Sequence, residues 1–209
     1  MEHGRWRHGF GLKQTLSAGY VVTTTGDGGA FTYQPSRRGN TAADRMDEHM
    51  LKHQPEPFSA IPFALTGTDE RPYCLPVFDL PVVSFMRTPY QTHLPYNTLL
   101  DNKSLMDFSA LERTVALYLK VVKGWERNAY CVNKEQFCEP HLSKHRLYNT
   151  LGGPKDRALV LSSRLHLFAN ANGHHDLHDK AESFGCNLLE FEDNLNLLIE
   201  DGLLEELNK

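Results

Sequence analysis

Arg87, Tyr90, His93, Tyr96, Asn97 and Asp101 crowd into one short stretch of the chain, directly after the apolar run LPVVSFM at 80–86. A second polar group, Gly67-Thr68-Asp69-Glu70-Arg71, stands before that run. Guanidinium, imidazole, phenol and carboxylate groups brought together can clamp an anion, move a proton or ligate a metal. An apolar strand that opens into such a loop is the α/β arrangement, in which ligands sit outside the carboxyl ends of strands. Two readings of Arg87 stand side by side: its planar guanidinium clamps a substrate carboxylate, or it pairs internally with Asp101 or Asp79. Asp69 and Glu70 are either a solvated charge cluster or carboxylates lining a cleft. His93 is a loop imidazole, solvent-exposed unless a ligand recruits it.

A β-branched run, GYVVTTT at 19–25, ends in Gly26-Asp27-Gly28-Gly29. Asp-Gly after a strand is a hairpin signal, with 30–33 as the returning strand; the same aspartate could also face a metal. These glycines have neither the G-x-G-x-x-G order nor a Walker lysine, which excludes a phosphate loop. His49 and His53 stand four apart, a ligand spacing, but without the glutamate of an H-E-x-x-H motif. His174, His175 and His178 form a patch with Asp176 and Asp179, which a polar turn with an N-cap aspartate explains more simply than metal capture.

The elements that must position these groups follow from periodicity. A helix is expected over 40–53, capped by Asn40 or Thr41, with Ala42, Met46 and Met50 inward and Asp44, Arg45, Asp47 and Glu48 towards water. Gln54-Pro55-Glu56-Pro57 ends it, and 58–65 reads as a strand. Residues 104–128 read as one long helix whose stripe, Leu105, Phe108, Leu111, Val115, Tyr118, Leu119 and Val122, is expected to cover one face of the sheet. Residues 130–148 read as irregular or extended, and Leu151-Gly152-Gly153-Pro154 as a linker. Three helices follow, over 156–171, 176–184 and 188–204, the last two joined by Gly185.

At 209 residues, 40% hydrophobic and 23% charged, the chain suits one medium domain with a small appendage. No run reaches the length of a membrane span, and MEHGRWRHGFGLK lacks the apolar core of a signal peptide, so a cytoplasmic location is expected. The four scattered cysteines contain no C-x-x-C pair and are expected to be reduced structural thiols. From Lys155 onward there are five Lys/Arg against eleven Asp/Glu, a net of −6 within an overall charge of −4. Such a segment repels phosphate backbones, so nucleic acid is not an expected partner.

GTDERPYC, LPVVSFMRTPY and PYNTLLDN, with GDGGAFTYQPSRRGNTAADR upstream and EPHLSKHRLYNTLGG downstream, resemble in order the later half of a bacterial zinc aminopeptidase-like family. That resemblance implies a partial exopeptidase-like α/β domain with a mixed sheet and flanking helices over 1–153, then a small all-α winged helix-turn-helix domain over 154–209. It implies zinc, a zinc-activated water and a glutamate base, with a peptide or amino-acid derivative as substrate. It puts Asp69, Glu70, Arg87, Tyr96 and Asp101 at the cleft and makes Asp27 a candidate ligand. Where the family pattern Tyr-His-Thr-Ser-x-x-Asp has its ligand histidine, this chain has Asn97, and an amide is a poor zinc ligand. His93 is the candidate substitute. The family's first histidine, its neighbouring aspartate and its base lie before the segment seen here, and Glu2, His3 and His8 do not match their spacing. The expectation is a C-terminal half, catalytically silent alone, with zinc absent or weakly bound. It would form a homodimer or need the missing N-terminal half, because a divided parallel sheet exposes an apolar edge. The alternative is a non-enzymatic protein-interaction module, with DNA-binding regulation third.

Overall fold

The computed structural model describes residues 11–64, 69–134 and 157–207. The chain divides into two units, 1–121 and 122–209. In the first, β1 (Gly19–Val22), β2 (Phe31–Gln34), β3 (Phe58–Ala60) and β4 (Val82–Met86) form one mixed sheet in the order β1-β4-β2-β3. All five residues of β4 are buried, which is why it reads as a continuous apolar run: a strand covered on both faces has no solvent side to alternate with. β1 runs parallel to β4, with Tyr20 opposite Val83, while β2 is antiparallel to it, with Tyr33 opposite Phe85. β3 pairs parallel with β2. The hairpin expected at Asp27-Gly28 does not form. β2 exists where the returning strand was expected, but β4 lies between it and β1. An apolar strand seeking burial on both faces outweighs a local turn signal.

α1 (Ala42–Lys52) starts at Thr41, whose hydroxyl accepts from Asp44 N while the Asp44 carboxylate accepts from Thr41 N, a capping box. Asp44 and Asp47, expected to face water, are buried. Asp44 accepts from Tyr33 Oη, from Ser36 N and Oγ, and from Thr41 N and Oγ1, at 2.6 to 2.9 Å. Burial alone would raise its pKa, but the bonds from Ser36 and Thr41 outweigh burial and hold it below the ordinary value. Asp47 accepts one bond, from Tyr20 Oη at 3.0 Å, and its other oxygen is unpartnered. Burial pushes that carboxyl well above the usual range. Helical periodicity sorts residues by polarity, so it cannot see carboxylates that the interior has partners for.

A short helix, α2 (Glu70–Cys74), follows where a loop was expected. α3 (Phe108–Arg127) packs through Ala110, Thr114, Leu117 and Val121, all buried. The stripe expected to be core is mostly not: Phe108, Val115 and Leu119 are 68%, 50% and 65% exposed, and Leu105 and Val122 are exposed as well. The apolar sector of α3 is wider than the part this four-stranded sheet covers.

The second unit contains β5 (Tyr130–Asn133), α4 (Arg157–Ala169), β6 (Asn172–Asp176), α5 (Leu177–Phe184), a 3-10 turn at Leu188–Phe191, α6 (Glu192–Glu200) and β7 (Leu204–Leu207). The three strands form an antiparallel sheet, β6-β5-β7. β5 therefore belongs with the C-terminal helices, and the boundary falls before the turn-rich string at 151–154. The expected all-α content is likewise completed by three strands. They escape the sequence because Asn-Gly-His-His-Asp has no alternation and β5 meets partners far away in the chain. Leu167, Leu177, Ala181, Leu188, Phe191, Leu195 and Leu198 make the core. Gly185 ends α5 at φ 79°, a left-handed position that favours glycine. Among the described residues no helix is long and apolar enough to cross a membrane.

Candidate functional site

β1 and β4 run parallel, so both deliver the chain to the same edge of the sheet, where Arg87 N donates to Thr24 O at 2.9 Å. There the Asp27 carboxylate joins the two strand ends. Its Oδ1 accepts from Gly29 N and Thr88 Oγ1, both at 2.7 Å, and its Oδ2 accepts from Thr88 N at 3.1 Å. Gly29 is required by this clasp, since a Cβ there would stand 2.5 Å from Thr88 Oγ1 and 2.7 Å from Asp27 Oδ1. Asp27 thus acts as an organiser of the loop, with both oxygens engaged.

Arg87 lies fully buried beneath the clasp. Nε donates to Thr114 Oγ1, Nη1 to Gly29 O and Nη2 to Ala110 O, each at 3.0 Å, and the guanidinium lies 3.7 Å above the Phe31 ring. Its ion-pair partner is Glu56, which also accepts from Arg113. The hydrogen bond from Arg87 is the main reason the Glu56 carboxyl is held below its ordinary value, against a smaller opposing effect of burial. Both sequence readings of Arg87 give way to this one: it braces the interior, and Asp79 pairs instead with Arg37 and Arg38. Sequence reasoning passed over Glu56 as part of a helix stop. The signal available was a single carboxylate held between Pro55 and Pro57, where two rings restrict the backbone.

Asp69 and Glu70, adjacent in sequence, separate in space. Glu70 is buried and accepts from Tyr90 Oη at 3.3 Å, whereas Asp69 is exposed at the start of α2. They do not form a carboxylate pair in the cleft.

The segment after Thr88 folds through successive turns, with Thr92 N on Pro89 O, Tyr96 N on His93 O, Thr98 N on Pro95 O and Asp101 N on Thr98 O. These turns bring His93, Tyr96 and Asp101 to Asp27 around a cavity of about 200 Å³, completed by Thr24, Thr25, Gly26, Leu105 and Met106. Four residues nominated from the sequence therefore converge. Asn97 does not join them: it is exposed, at φ 57°, a backbone conformation that costs asparagine less than most residues. An imidazole, a phenol and a carboxylate around a small opening can bind a polar group and exchange protons with it. They do not fit zinc. Within the first unit no three His, Cys, Asp or Glu side chains among the described residues converge on one point, while zinc needs three or four such ligands at about 2.0–2.3 Å.

In the second unit the histidine patch is organised by capping. Asp176 Oδ1 accepts from Asp179 N at 2.9 Å and Oδ2 from Asn128 Nδ2 at 3.0 Å. His175 and His178 stand 3.6 and 3.7 Å from the Asp179 carboxylate. Cys74 and Cys131 are buried free thiols whose pKa burial pushes up. Cys138 lies outside the described residues.

Residues 7–128 match the family described as "Domain of unknown function (DUF4910)", and residues 129–206 match a winged helix-turn-helix. A protein of Clostridium acetobutylicum named "Putative polysaccharide biosynthesis protein with aminopeptidase-like domain" is 32% identical over 143 residues, which make up 68% of this chain and 33% of that protein. The crystal structure of a "putative peptidase" from the same species matches with a TM-score of 0.82 at 25% identity, over 95% of this chain and 44% of its own. The chain therefore spans a third of the first relative's length and under half of the second's. An aminopeptidase-like α/β region followed by a winged helix agrees with the architecture that the sequence motifs imply. With more than half of its residues inside the first match, this chain belongs to the DUF4910 family and carries a winged helix-turn-helix domain behind it.

Proposed function

We propose that this chain is the C-terminal half of a zinc-exopeptidase-like protein and is catalytically silent by itself, with zinc absent or weakly bound. The observation that carries this reading is the Asp27 clasp. The carboxylate best placed for a metal already accepts three hydrogen bonds at 3.1 Å or less from Gly29 and Thr88. Asn97, where the resemblance puts the ligand histidine, is exposed and does not line the cavity, and the Arg87 donors are taken by Thr114, Gly29 O, Ala110 O and Glu56. Hydrolysis of a peptide or amide bond needs a positioned water, a base and charge stabilisation at the carbonyl oxygen. The described cleft offers His93, Tyr96 and Asp101, which can hold a small polar group such as the terminus of an amino-acid derivative. They do not assemble a water-activating centre.

The test is elemental analysis of the untagged protein after incubation with zinc and dialysis, alongside turnover of aminoacyl nitroanilides, for the native chain and for Asn97→His. The expected result is well under one zinc per chain and no hydrolysis above buffer. One tightly held zinc per chain with chelator-sensitive turnover would overturn the reading.

A second reading, a non-enzymatic protein-interaction module derived from the same family, is favoured by the uncovered apolar stripe of α3. DNA-binding regulation through the winged helix has less support. The C-terminal segment carries a net charge of −6, and one of its few cations, Lys180, is buried with its ammonium on His175 O at 3.0 Å.

A further inference from the structure

The turn that leaves β1 is strained. Thr24 adopts φ 40°, in the left-handed region where a β-branched residue is an outlier, and its carbonyl accepts from Arg87 N at 2.9 Å. Its hydroxyl is a second anomaly. Thr24 Oγ1 is buried without a hydrogen-bond partner among the described residues, although native interiors partner nearly all such atoms. Backbone strain and an unanswered polar atom meet at one residue, and such residues cluster where a ligand is held. Thr24 lines the cavity of about 200 Å³ that Asp27, His93, Tyr96 and Asp101 share.

The other walls define the ligand. The side chains of His93 and Asp101 take no hydrogen bond or ion pair from the described residues, and the Tyr96 ring rests 5.8 Å from the Tyr90 ring with its hydroxyl unengaged. Two carboxylates line the cavity, Asp27 and Asp101, and no described lysine or arginine does. Such a field repels an anion and draws in a cation. Thr24 Oγ1 and the Asp101 carboxylate are acceptors, so the cation that suits them carries N–H donors. Leu105 and Met106 add an apolar wall. The volume lies below the roughly 300–1,000 Å³ of sites for drug-sized ligands, which limits the body of the ligand to a few carbon atoms.

We propose that this cavity binds a small primary amine, an alkylammonium ion with a short apolar body, through Thr24 and Asp101. This rests on the silent-half reading above and deepens it, since the cavity then holds a ligand that it does not transform. Asp101 supplies a carboxylate for the ammonium, and Asp27 adds charge while keeping its own donors from Gly29 and Thr88. Thr24 supplies the acceptor that a quaternary ammonium, having no N–H, leaves unanswered. The aromatic ring of Tyr96 favours a cation over a neutral alcohol of the same shape. Leu105 and Met106 take the alkyl part.

The experiment is calorimetric titration of the untagged full chain with isobutylamine, in the presence of a chelator, against isobutanol, isobutyrate and choline. Saturable binding of one isobutylamine per chain is expected, at least tenfold tighter than the alcohol or choline, with none for isobutyrate. Asp101→Asn should weaken it at least tenfold, and Thr24→Val, which keeps the shape and removes the hydroxyl, at least threefold. Glu48→Gln, on α1 and away from the cavity, should leave it unchanged. Melting temperatures are measured in parallel. Thr24→Val removes a buried hydroxyl without a partner among the described residues, so its melting temperature should hold or rise while affinity falls, which a purely structural threonine would not show. Absence of saturable binding, equal binding of isobutanol or choline, or indifference to both cavity substitutions would overturn the proposal. The chelator keeps zinc out of the titration, so amine binding and the silent-half reading, which fails on tight zinc with turnover, are tested separately.

Discussion

The floor of the cleft and the loop above it are made of the same kinds of residue, yet they are held in opposite ways. In the floor, Asp27, Glu56, Arg87 and Thr88 satisfy one another and nearby carbonyls, and Arg87 has no exposure at all. In the loop, His93, Tyr96, Asn97 and Asp101 depend on backbone turns for their positions, and their side chains reach the cavity or water. A charged group at the end of a strand is therefore not a ligand-binding group by virtue of its type. Burial and the supply of internal partners decide whether it braces the fold or remains available.

Arg87→Met should show the difference most strongly. It leaves Glu56 without its buried partner and strips donors from Gly29 O and Ala110 O, a loss on the order of 3–5 kcal/mol in urea denaturation, enough to threaten folding. Thr88→Val is the smaller cut. It removes one of the donors that hold Asp27 and should cost about 1–3 kcal/mol by the same measurement.

The pH dependence separates two buried carboxyls on one helix. Asp44 has a lowered pKa, so its stabilising effect is complete above its unfolded value of 3.8 and disappears as pH falls through the lower folded value. Asp47 has a raised pKa, so its contribution is complete below 3.8 and is lost as pH rises towards the folded value. Asp47→Asn should flatten the decline in urea midpoint above pH 4 and leave the acid limb in place.

At the small end, His93→Ala, Tyr96→Phe and Asn97→His should each change stability by no more than about 0.5 kcal/mol, as surface substitutions do. A loop substitution that costs as much as Arg87→Met would end the distinction between floor and loop.

Much of this was legible in the sequence. The β4 run, the helix expected to open at Asn40 or Thr41 and found capped by Thr41, the long helix expected from 104 and found from Phe108, and the break between helices at Gly185 all rest on local signals: burial of a continuous apolar run, side-chain capping, 3.6-residue periodicity and the freedom of glycine. The gathering of Asp27, His93, Tyr96 and Asp101 was partly legible, because strand-then-loop order brings such residues to one edge. The Glu56–Arg87 pair was not, since its members are distant in the chain and on different elements. The three strands of the winged helix escaped for a similar reason, as β5 is paired with strands beyond α4.

The sequence by itself determined the strands of the first sheet, the longer helices and which residue types reach the sheet's carboxyl edge, because these follow from short-range periodicity and sterics, whereas α2 and the three strands of the second unit did not. Only the tertiary structure decided that β4 separates β1 from β2, that Arg87 and Asp44 face inward with full sets of partners, and that half of the apolar sector of α3 is left uncovered. Those outcomes depend on which distant surface arrives to bury a group, and local pattern carries no record of the partner.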